Sequence, residues 1–286
     1  MPEPTTFQPP PIRPATLLPT GAKHALERLH TARAEAKPCV PVRDLLPEAD
    51  IDAAYAVQSA WVAEQVAAGA RIVGHKIGLT NPAVQAQLGV AQPDFGILLD
   101  SMACRAGEPV DIARTLQPKI EAEIAFVLAR DLDMDGIGPA EVSAATGYVA
   151  AALEIVDSRI ANWDIGIVDT IADNASSGLF VLGDRQRSLG DPGELGGLDL
   201  RACTMTLRRD GEEVSTGSGA ACLGDPLAAV AWLARTTRAY GEPLRAGDVV
   251  LSGALGPMVP VRPGDGFHTE ISGIGEVSVS FTRDTR

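Results

Sequence analysis

Hydrophobic residues recur at two different spacings along this chain. In its first third the helical spacing dominates, and it predicts helices at residues 22–36 and 51–68. Asp50 is suited to cap the start of the second helix, because its carboxylate can accept hydrogen bonds from the first backbone N–H groups. Residues 21–100 are therefore predicted to form a mostly helical N-terminal region, preceded by a disordered, proline-rich tail at residues 1–20.

Three shorter features are predicted within this helical region. Residues 71–79 form an apolar run that predicts a strand, with Lys76 as an unexpected charge inside it. Asn81-Pro82 combines a capping residue with a proline at the first helical position, so a short helix is predicted to follow and to end at Gly89. The sequence Gln-Pro-Asp-Phe-Gly at residues 92–96 predicts a turn.

From residue 101 onwards, short apolar runs bounded by Gly, Pro and Asp predict strands. Helices are predicted at residues 139–146 and after Asp225-Pro226, and residues 164–178 are expected to form a loop. The predicted strands fall at residues 120–128, 149–156, 180–182, 203–207, 248–252, 267–271 and 277–281. Strands and helices do not alternate regularly, so we expect an α+β fold. Its core, residues 101–286, is predicted to be mixed and largely antiparallel rather than a doubly wound sheet.

The net charge of −13 argues against nucleic acid and anionic membranes as partners, because both attract basic surfaces. It does not argue against a small anionic ligand, whose site can carry local positive charge. Cys39, Cys104, Cys203 and Cys222 are too widely spaced for a zinc motif or a disulfide framework, so a reducing compartment is expected. The N-terminus lacks a signal-peptide pattern and no apolar run has the length of a membrane span, so we expect a soluble, cytoplasmic protein.

Two carboxylates stand inside the apolar strand predicted at residues 120–128. Glu121 and Glu123 are two positions apart and point to the same face, where their like charges repel each other. A lysine, an arginine or a metal ion has to compensate them. Glu154 adds a third carboxylate in an even more apolar predicted strand, and oxygen ligands without His or Cys favour Mg²⁺ or Mn²⁺ over Zn²⁺. A divalent ion held in this way keeps open positions for a chelating substrate.

Each candidate residue also has a simpler interpretation. A single Glu on a strand is usually solvated, Lys76 taken alone is typical of a surface lysine on an edge strand, and Asp94 is typical of a turn. Asn174 and Ser176 are suited to bind an anionic ligand, or to form hydrogen bonds within their own loop. Residues 217–222 begin like a dinucleotide-binding fingerprint but lack its last glycine and a clear preceding strand, so that function is rejected.

Six segments of the sequence resemble the hydratases of bacterial meta-cleavage pathways, which form a family with 4-oxalocrotonate decarboxylase in the fumarylacetoacetase superfamily. These segments are residues 74–80, 92–96, 118–123, 153–159, 172–176 and 252–258. The resemblance runs in order from about residue 22 to the C-terminus, so only the proline-rich tail lies outside it.

The resemblance implies roles for individual residues. Lys76 and Asp94 would act in acid–base chemistry. The implied ligands of Mg²⁺ or Mn²⁺ are Glu121, Glu123 and Glu154. The residues expected to bind the substrate are Asn174, Ser176, Gly253, Ala254 and Leu255. The resemblance also implies that residues 101–286 form a metal-binding catalytic core, a β-sandwich or β-roll similar to the C-terminal part of fumarylacetoacetase. It further implies a homo-oligomer and contacts with other enzymes of the pathway.

The implied activity is the addition of water to 2-hydroxypenta-2,4-dienoate, which gives 4-hydroxy-2-oxopentanoate. The substrate loses its enol proton and gains one at C5, after which water adds at C4 and C3 is protonated, so positioned acids and bases are required. A metal ion chelated by the carboxylate and the C2 oxygen would stabilise the developing charge. A lysine beside that cation is expected to have a lowered pKa.

Three alternatives remain open at the level of the sequence. The first two are decarboxylation of 4-oxalocrotonate and hydration of a dicarboxylate such as 2-oxoheptenedioate. The third is a non-catalytic subunit that binds small molecules or assembles partners. The apolar character of residues 254–259 favours a substrate whose far end is short and uncharged.

Overall fold

The computed structural model of the chain describes residues 18–48, 50–81, 85, 92–189 and 198–283. Nearly all of the predicted tail at residues 1–20 lies outside the described residues. So does almost all of the short helix predicted after Asn81-Pro82. The rest of the predicted elements can be compared with the structure directly.

The described part of the chain contains helices and two β-sheets. The α-helices are α1 (Thr20–Ala34), α2 (Ile51–Ala67), α3 (Pro139–Ala145), α4 (Ile167–Ala172) and α5 (Pro226–Ala239). The strands are β1 (Ile72–Gly78), β2 (Asp94–Leu99), β3 (Ala103–Cys104), β4 (Pro109–Val110), β5 (Pro118–Leu128), β6 (Thr146–Asp157), β7 (Ser177–Leu182), β8 (Thr204–Arg209), β9 (Glu212–Ser218), β10 (Val249–Leu251), β11 (Val259–Pro260), β12 (Gly266–Ile271) and β13 (Gly275–Phe281). Of these described helices, none combines the length and the apolarity that a membrane crossing requires.

The predicted α+β fold with a mixed β core is confirmed. The larger sheet has eight strands in the order β2-β1-β10-β5-β6-β7-β3, with β11 also paired to β5, and the smaller sheet has the order β4-β13-β12-β8-β9. Among the described strands, the parallel pairs are β1–β10, β3–β7 and β4–β13, and the other pairs are antiparallel. Strand β13 of the smaller sheet contacts β6 and β7, so the two sheets pack against each other.

The larger sheet extends across the boundary that the sequence predicts near residue 100. Strands β1 and β2 both precede it, yet β1 pairs with β10, and β10 pairs with β5. The helical part of the N-terminal region consists of α1 and α2. Helix α2 begins as predicted, because the Asp50 side chain accepts a hydrogen bond from the Ala53 N–H at 2.9 Å. The N-terminal region therefore supplies two strands to the core sheet.

Two local predictions are wrong. The sequence predicts a turn at residues 92–96, but β2 begins at Asp94, directly after Pro93, and pairs antiparallel with β1. It also predicts a loop at residues 164–178, but this segment contains α4 and a single 3-10 turn at Asn174–Ser176. Helix α4 packs against α2, which is distant in sequence. In both segments tertiary contacts outweigh the local preference of Pro, Gly, Asp and Asn for turns.

The centre of the larger sheet is deeply buried. Ile124 and Phe126 of β5 are fully buried on one face, and Ala125 of β5 and Ala152 of β6 are fully buried on the other. Since neither face of these strands is open to water here, an ionised side chain in this region loses its hydration. The acidic residues on β5 and β6 are therefore the features of the sheet that most need a physical explanation.

Candidate metal and acid–base site

Three glutamates converge on one face at the centre of the larger sheet. Glu121 and Glu123 lie on β5, and Glu121 is directly opposite Glu154 of β6 in the antiparallel register. One carboxylate oxygen of each glutamate lies within 4.8 Å of the other two. Glu123 and Glu154 are 0% and 1% exposed, whereas Glu121 is half-buried. Alternation along β5 produces the carboxylate pair, and the strand register adds the third member.

The protein itself compensates these carboxylates poorly. Within the described part of the chain, Oε2 of Glu154 and Oε1 of Glu123 have no hydrogen-bond partner, while the Gly253 N–H donates to Oε2 of Glu123 at 2.7 Å. Burial and the Glu154 carboxylate raise the pKa of Glu121 to about 7 and that of Glu123 well above its ordinary value. Burial also raises the pKa of Glu154. Buried carboxylate oxygens without a hydrogen-bond donor are costly unless a cation binds them. These three carboxylates therefore fit a hard divalent ion as its ligands.

Lys76 of β1 points into the same group of carboxylates. Its Nζ forms an ion pair with Oε1 of Glu154 at 3.3 Å, and the side chain is buried. Burial acts to lower the pKa of Lys76, but Glu154 and Glu121 outweigh this effect and raise the pKa above the ordinary lysine value. From the sequence, a bound cation is expected to lower the pKa of Lys76. The carboxylates alone have the opposite effect and raise it. One ammonium group does not balance three ionised carboxylates. The negative charge that remains can be balanced by a metal ion.

Asp94 begins β2 and lies directly opposite Gly78 at the end of β1. Its carboxylate is 1% exposed, and among the described residues neither oxygen has a hydrogen bond of good geometry, although the Thr170 side chain is near enough to act to lower the pKa. Burial raises the pKa of Asp94 to about 6, although Lys76 acts to lower it. A Cβ atom built on Gly78 would lie 2.1 Å from Oδ1 of Asp94, so glycine at this position provides the space that the carboxylate occupies. Because Lys76 and Gly78 are two positions apart, Asp94 lies on the same sheet face as Lys76.

The outer edge of β2 is paired with side chains instead of another strand. Oδ1 of Asn174 accepts a hydrogen bond from the Ile97 N–H at 2.8 Å, and its Nδ2 donates to the Ile97 carbonyl at 2.9 Å. From α2, the Tyr55 hydroxyl accepts from the Phe95 N–H at 3.3 Å, and Gln58 donates to the Phe95 carbonyl at 2.9 Å. The observed contacts of Asn174 are therefore those of a positioning residue, and its predicted contact with the substrate stays a prediction.

Ser176 belongs to a turn whose backbone is left-handed at three successive positions. The φ angles of Asn174–Ser176 are 55°, 51° and 53°, a conformation that is strained for residues other than glycine. The Ser176 hydroxyl is buried and lies 3.3 Å from that of Thr170. The turn is anchored at its start, where Nε of Arg159 donates to Oδ1 of Asp173 at 2.6 Å. This anchoring fixes the Ser176 hydroxyl beside α4.

The loop after β10 approaches the glutamates through its backbone. The Gly253 N–H bonds Glu123, and its φ of 103° lies in the region that favours glycine. Leu255 is fully buried, and its N–H donates to the Ala122 carbonyl at 3.0 Å. Ala254 between them is half-buried. The loop thus holds one glutamate in place and is itself tied to β5.

Lys119 is a further residue of this face that is not among the site residues predicted from the sequence. It precedes Glu121 by two positions on β5, so its side chain projects to the same side. Its Nζ lies 4.2 Å from the centre of the Trp163 ring, and the residue is half-buried. The spacing of two residues that identifies Glu121 and Glu123 would have identified Lys119 as well.

The sequence of this chain is similar to a protein family and to individual enzymes of known activity. The sequence profile of the fumarylacetoacetate (FAA) hydrolase C-terminal family matches residues 71–282, which include every strand of both sheets. The chain is 51% identical to a 2-keto-4-pentenoate hydratase from Paraburkholderia xenovorans (strain LB400) over 265 residues, which cover 93% of this chain and 96% of that protein. It is 44% identical to a 2-hydroxyhexa-2,4-dienoate hydratase from Comamonas testosteroni over 258 residues, covering 90% of this chain and 96% of that protein.

A solved structure shares the fold along almost the whole chain. It is 4-oxalocrotonate decarboxylase from Pseudomonas putida G7, complexed with magnesium and adipate. The TM-score is 0.85 at 36% sequence identity, and the match covers 91% of this chain and 97% of that chain. This share is larger than the part of the chain that the two sheets span, so the likeness extends beyond the sheets.

Proposed function

The chain belongs to the fumarylacetoacetate hydrolase family, and we propose that it is a hydratase that adds water to 2-hydroxypenta-2,4-dienoate to give 4-hydroxy-2-oxopentanoate. The observation that carries this proposal is the convergence of three under-compensated carboxylates, a buried lysine and a buried aspartate on one sheet face. The identity of 51% to a 2-keto-4-pentenoate hydratase over 93% of this chain supports the choice of reaction and a place in aromatic catabolism.

We propose that Glu121, Glu123 and Glu154 hold Mg²⁺ or Mn²⁺. Their oxygens are hard ligands, and several are buried without a hydrogen-bond donor in the described part of the chain. The magnesium bound by the decarboxylase of similar fold supports the same class of ion here. When bound, the ion supplies Lewis-acid stabilisation of negative charge on the C2 oxygen of a 2-oxo acid.

Asp94 and Lys76 are proposed to form an acid–base pair, in which Asp94 transfers the protons. In the overall reaction the proton of the C2 hydroxyl is removed, C5 and then C3 each gain a proton, and the hydroxyl group of water adds at C4. A carboxyl group with a pKa of about 6, such as that of Asp94, can accept a proton and return it near neutral pH. Lys76 is kept protonated by Glu154 and Glu121, so its proposed part is to stabilise negative charge beside Asp94.

The remaining candidate residues are proposed to line the substrate site. Ser176 supplies a buried hydroxyl, and Ala254 and Leu255 supply an apolar wall suited to the uncharged end of the dienoate. Gly253 supplies a backbone N–H that already orients Glu123.

Decarboxylation of 4-oxalocrotonate is the second candidate function, because the solved structure with a TM-score of 0.85 is a decarboxylase of that substrate. This reaction would use the same chelated 2-oxo acid but would release CO₂ from a second carboxylate. The higher identity to the hydratase, 51% against 36% for the decarboxylase, favours hydration.

A turnover assay separates these functions. Purified protein with Mg²⁺ would be incubated with 2-hydroxypenta-2,4-dienoate and, in parallel, with 4-oxalocrotonate. We expect the conjugated absorbance of the dienoate to disappear and 4-hydroxy-2-oxopentanoate to form. Release of CO₂ from 4-oxalocrotonate without hydration of the dienoate would assign the second function. Binding of the dienoate without any turnover would assign a non-catalytic role instead.

The metal site is tested by Glu123→Gln, with the exposed Glu212→Gln as the matched control. The amide removes one anionic ligand, so we expect the affinity for Mn²⁺ and the turnover rate to fall at least about 100-fold while circular dichroism shows an intact fold. Glu212→Gln should match the wild type in both measurements. Full turnover by wild-type protein after thorough chelation would contradict the proposed metal dependence.

The proposal also includes a homo-oligomeric state, a cytoplasmic location and contacts with other enzymes of the pathway. Multi-angle light scattering of the purified protein measures the first, and a monomer at micromolar concentration would contradict it. Cell fractionation and co-purification with the enzyme that consumes 4-hydroxy-2-oxopentanoate address the other two.

A further inference from the structure

We propose that Lys119 binds the C1 carboxylate of the substrate, and that Trp163 and Gln117 hold the lysine in position for this contact. The inference rests on the proposed function, because it assigns a residue to one end of the proposed substrate. It concerns a cation on the side of the glutamates that faces away from the acid–base pair.

Lys119 lies on the same sheet face as the metal-binding carboxylates. It is followed by Glu121 and Glu123 at steps of two residues along β5. Two residues of a strand span roughly 7 Å, which a lysine side chain can bridge. The ammonium group is close enough to Glu121 for the two charges to interact. It can therefore reach an oxygen atom of a ligand held beside Glu121.

Lys119 and Lys76 flank the glutamates on opposite sides. Lys76 pairs with Leu251 of β10, and Leu251 pairs with Ala125 of β5, so Lys76 is level with Ala125. The two glutamates of β5 follow in the direction of its N-terminus, and Lys119 lies beyond them. In the proposed reaction Asp94, which lies beside Lys76, exchanges protons with C3 and C5 of the substrate. The C1 carboxylate therefore has to point the other way, towards Lys119.

The positive charge of Lys119 is only partly compensated by the described part of the chain. Its Nζ makes no ion pair with a carboxylate there and instead rests 4.2 Å from the centre of the Trp163 ring. An aromatic face attracts a cation without consuming its N–H donors. Lys119 is thus a restrained cation with donors available for an anion.

Gln117 fixes the turn that carries Trp163. Its Nε2 donates to the carbonyls of Ser158 and Ile160 at 2.9 Å and 2.8 Å, and its Oε1 accepts from the Asn162 N–H at 2.8 Å. Its carbonyl accepts from the indole N–H of Trp163 at 3.0 Å. Asn162 and Trp163 have left-handed φ angles of 61° and 56°, which are strained for a tryptophan. Four hydrogen bonds therefore hold a strained aromatic residue over one lysine.

The presence of lysine at this position is itself informative. The chain has 24 Lys and Arg residues, and its four lysines are Lys23, Lys37, Lys76 and Lys119. Arginine therefore supplies most cations, whereas the two lysines after Lys37 both lie beside the glutamates. A lysine ammonium is compact and can rotate its three donors, which suits a narrow site next to a ring.

Lys119→Met tests the contact, with the exposed Lys37→Met as control. Calorimetry in the presence of Mg²⁺ would measure the binding of 2-oxopentanoate and of 2-oxopentanamide, which lacks the C1 charge. We expect Lys119→Met to weaken the binding of the acid about tenfold or more and the binding of the amide less than about twofold. The reason is that a charge-assisted hydrogen bond is lost for the acid alone. The affinity for Mn²⁺ should be retained, and Lys37→Met should behave as wild type.

The proposal would be overturned if the acid and the amide lost the same factor in binding affinity, or if the binding of both were unchanged. A loss confined to 2-oxoadipate, which carries a second carboxylate, would overturn it by placing Lys119 at the far end of the ligand. If Lys119→Met does not fold, Trp163→Leu offers the same test, with a smaller loss that is still specific to the acid. Hydration by the wild type is measured separately, so a wild type without turnover would refute the reaction even where the acid-specific loss is observed.

Discussion

Asp94 and Lys76 lie on paired strands, and their surroundings give them different protonation behaviour. Burial raises the pKa of Asp94 to about 6, whereas the neighbouring carboxylates raise that of Lys76 against the effect of burial. Lys76 therefore stays protonated at neutral pH, while Asp94 titrates just below it. This difference suits Asp94 to exchange protons and Lys76 to supply a fixed charge.

Asp94→Asn is expected to lower kcat by about 10²- to 10⁴-fold, because an amide cannot accept and return a proton. The affinity for Mn²⁺ should change little, since Asp94 is not among the three glutamates. The carboxylate is the proposed active form, so kcat/KM of the wild type should rise as the pH increases through about 6. This acidic limb should be absent from the residual activity of the variant, and the same limb in both proteins would assign it to another group.

The residues that the sequence predicts best are those whose position follows from strand alternation. Glu121 and Glu123 must share a face once β5 is recognised, and Glu154 stands out because its strand is otherwise apolar. Asn174 could not be assigned in this way, because its hydrogen bonds to Ile97 depend on a contact between segments 77 residues apart. Polar residues in turns satisfy either the backbone or a ligand, and only the packed structure distinguishes the two.

At the level of elements, the pairing of β1 with β2 brings the acid–base pair together, and glycines make this pairing possible. Gly78 provides space for the Asp94 carboxylate. A Cβ atom on Gly96 would lie 2.5 Å from the Asn174 carbonyl oxygen, so glycine also lets the left-handed turn approach β2. Side chains at either position would push apart elements that carry functional groups.

Gly78→Ala is expected to reduce kcat more than about tenfold, because the added methyl group would lie 2.1 Å from Oδ1 of Asp94 and force that carboxylate to move. Binding of Mn²⁺ should be retained, since the glutamates lie on β5 and β6. Gly166→Ala is the matched control, because a Cβ there would make an ordinary contact of 3.6 Å with Asp169. Steady-state kinetics and Mn²⁺ titration distinguish this result from general unfolding, in which both properties would be lost.

Strand β2 shows why one element was predicted wrongly. Pro93 and Gly96 are turn-forming residues, and locally they favour a turn. The strand exists because β1 pairs with one edge and because Tyr55, Gln58 and Asn174 satisfy the backbone groups of the other edge. These partners are distant in sequence, so the local sequence pattern cannot predict their contacts with β2.

For the whole molecule, the N-terminal helices and the sheets form one connected structure. Gln58 of α2 donates to the carbonyls of both Phe95 and Ile171, at 2.9 Å and 3.3 Å, and so links β2 to α4. Arg33 of α1 contacts Asp173 at 3.0 Å, next to the left-handed turn. The general α+β architecture was predictable from the change of hydrophobic spacing, whereas these cross-links were not, because they join single polar side chains across the fold.

The stability of the metal-free molecule is expected to depend on the three glutamates as a group. Glu121 has an ordinary pKa of 4.5 that rises to about 7 in the folded protein, and the pKa values of Glu123 and Glu154 are raised as well. A carboxyl group with a raised pKa binds more protons in the folded state than in the unfolded state. Its contribution to stability is therefore fully present below the unfolded pKa and is lost as the pH rises through the folded pKa.

Thermal unfolding in EDTA should accordingly show a Tm that falls by about 5 °C or more between about pH 4.5 and pH 7, once the profile of Glu123→Gln is subtracted. Mg²⁺ binds the ionised carboxylates of the folded state, so saturating Mg²⁺ should recover most of this loss in the wild type and in the control Glu212→Gln. Glu123→Gln should show a weaker pH dependence and little response to Mg²⁺, because one charge of the cluster is gone. Superimposable Tm–pH profiles of the wild type and Glu123→Gln in EDTA would mean that the buried carboxylates do not repel each other, and that the protein needs no divalent ion to compensate them.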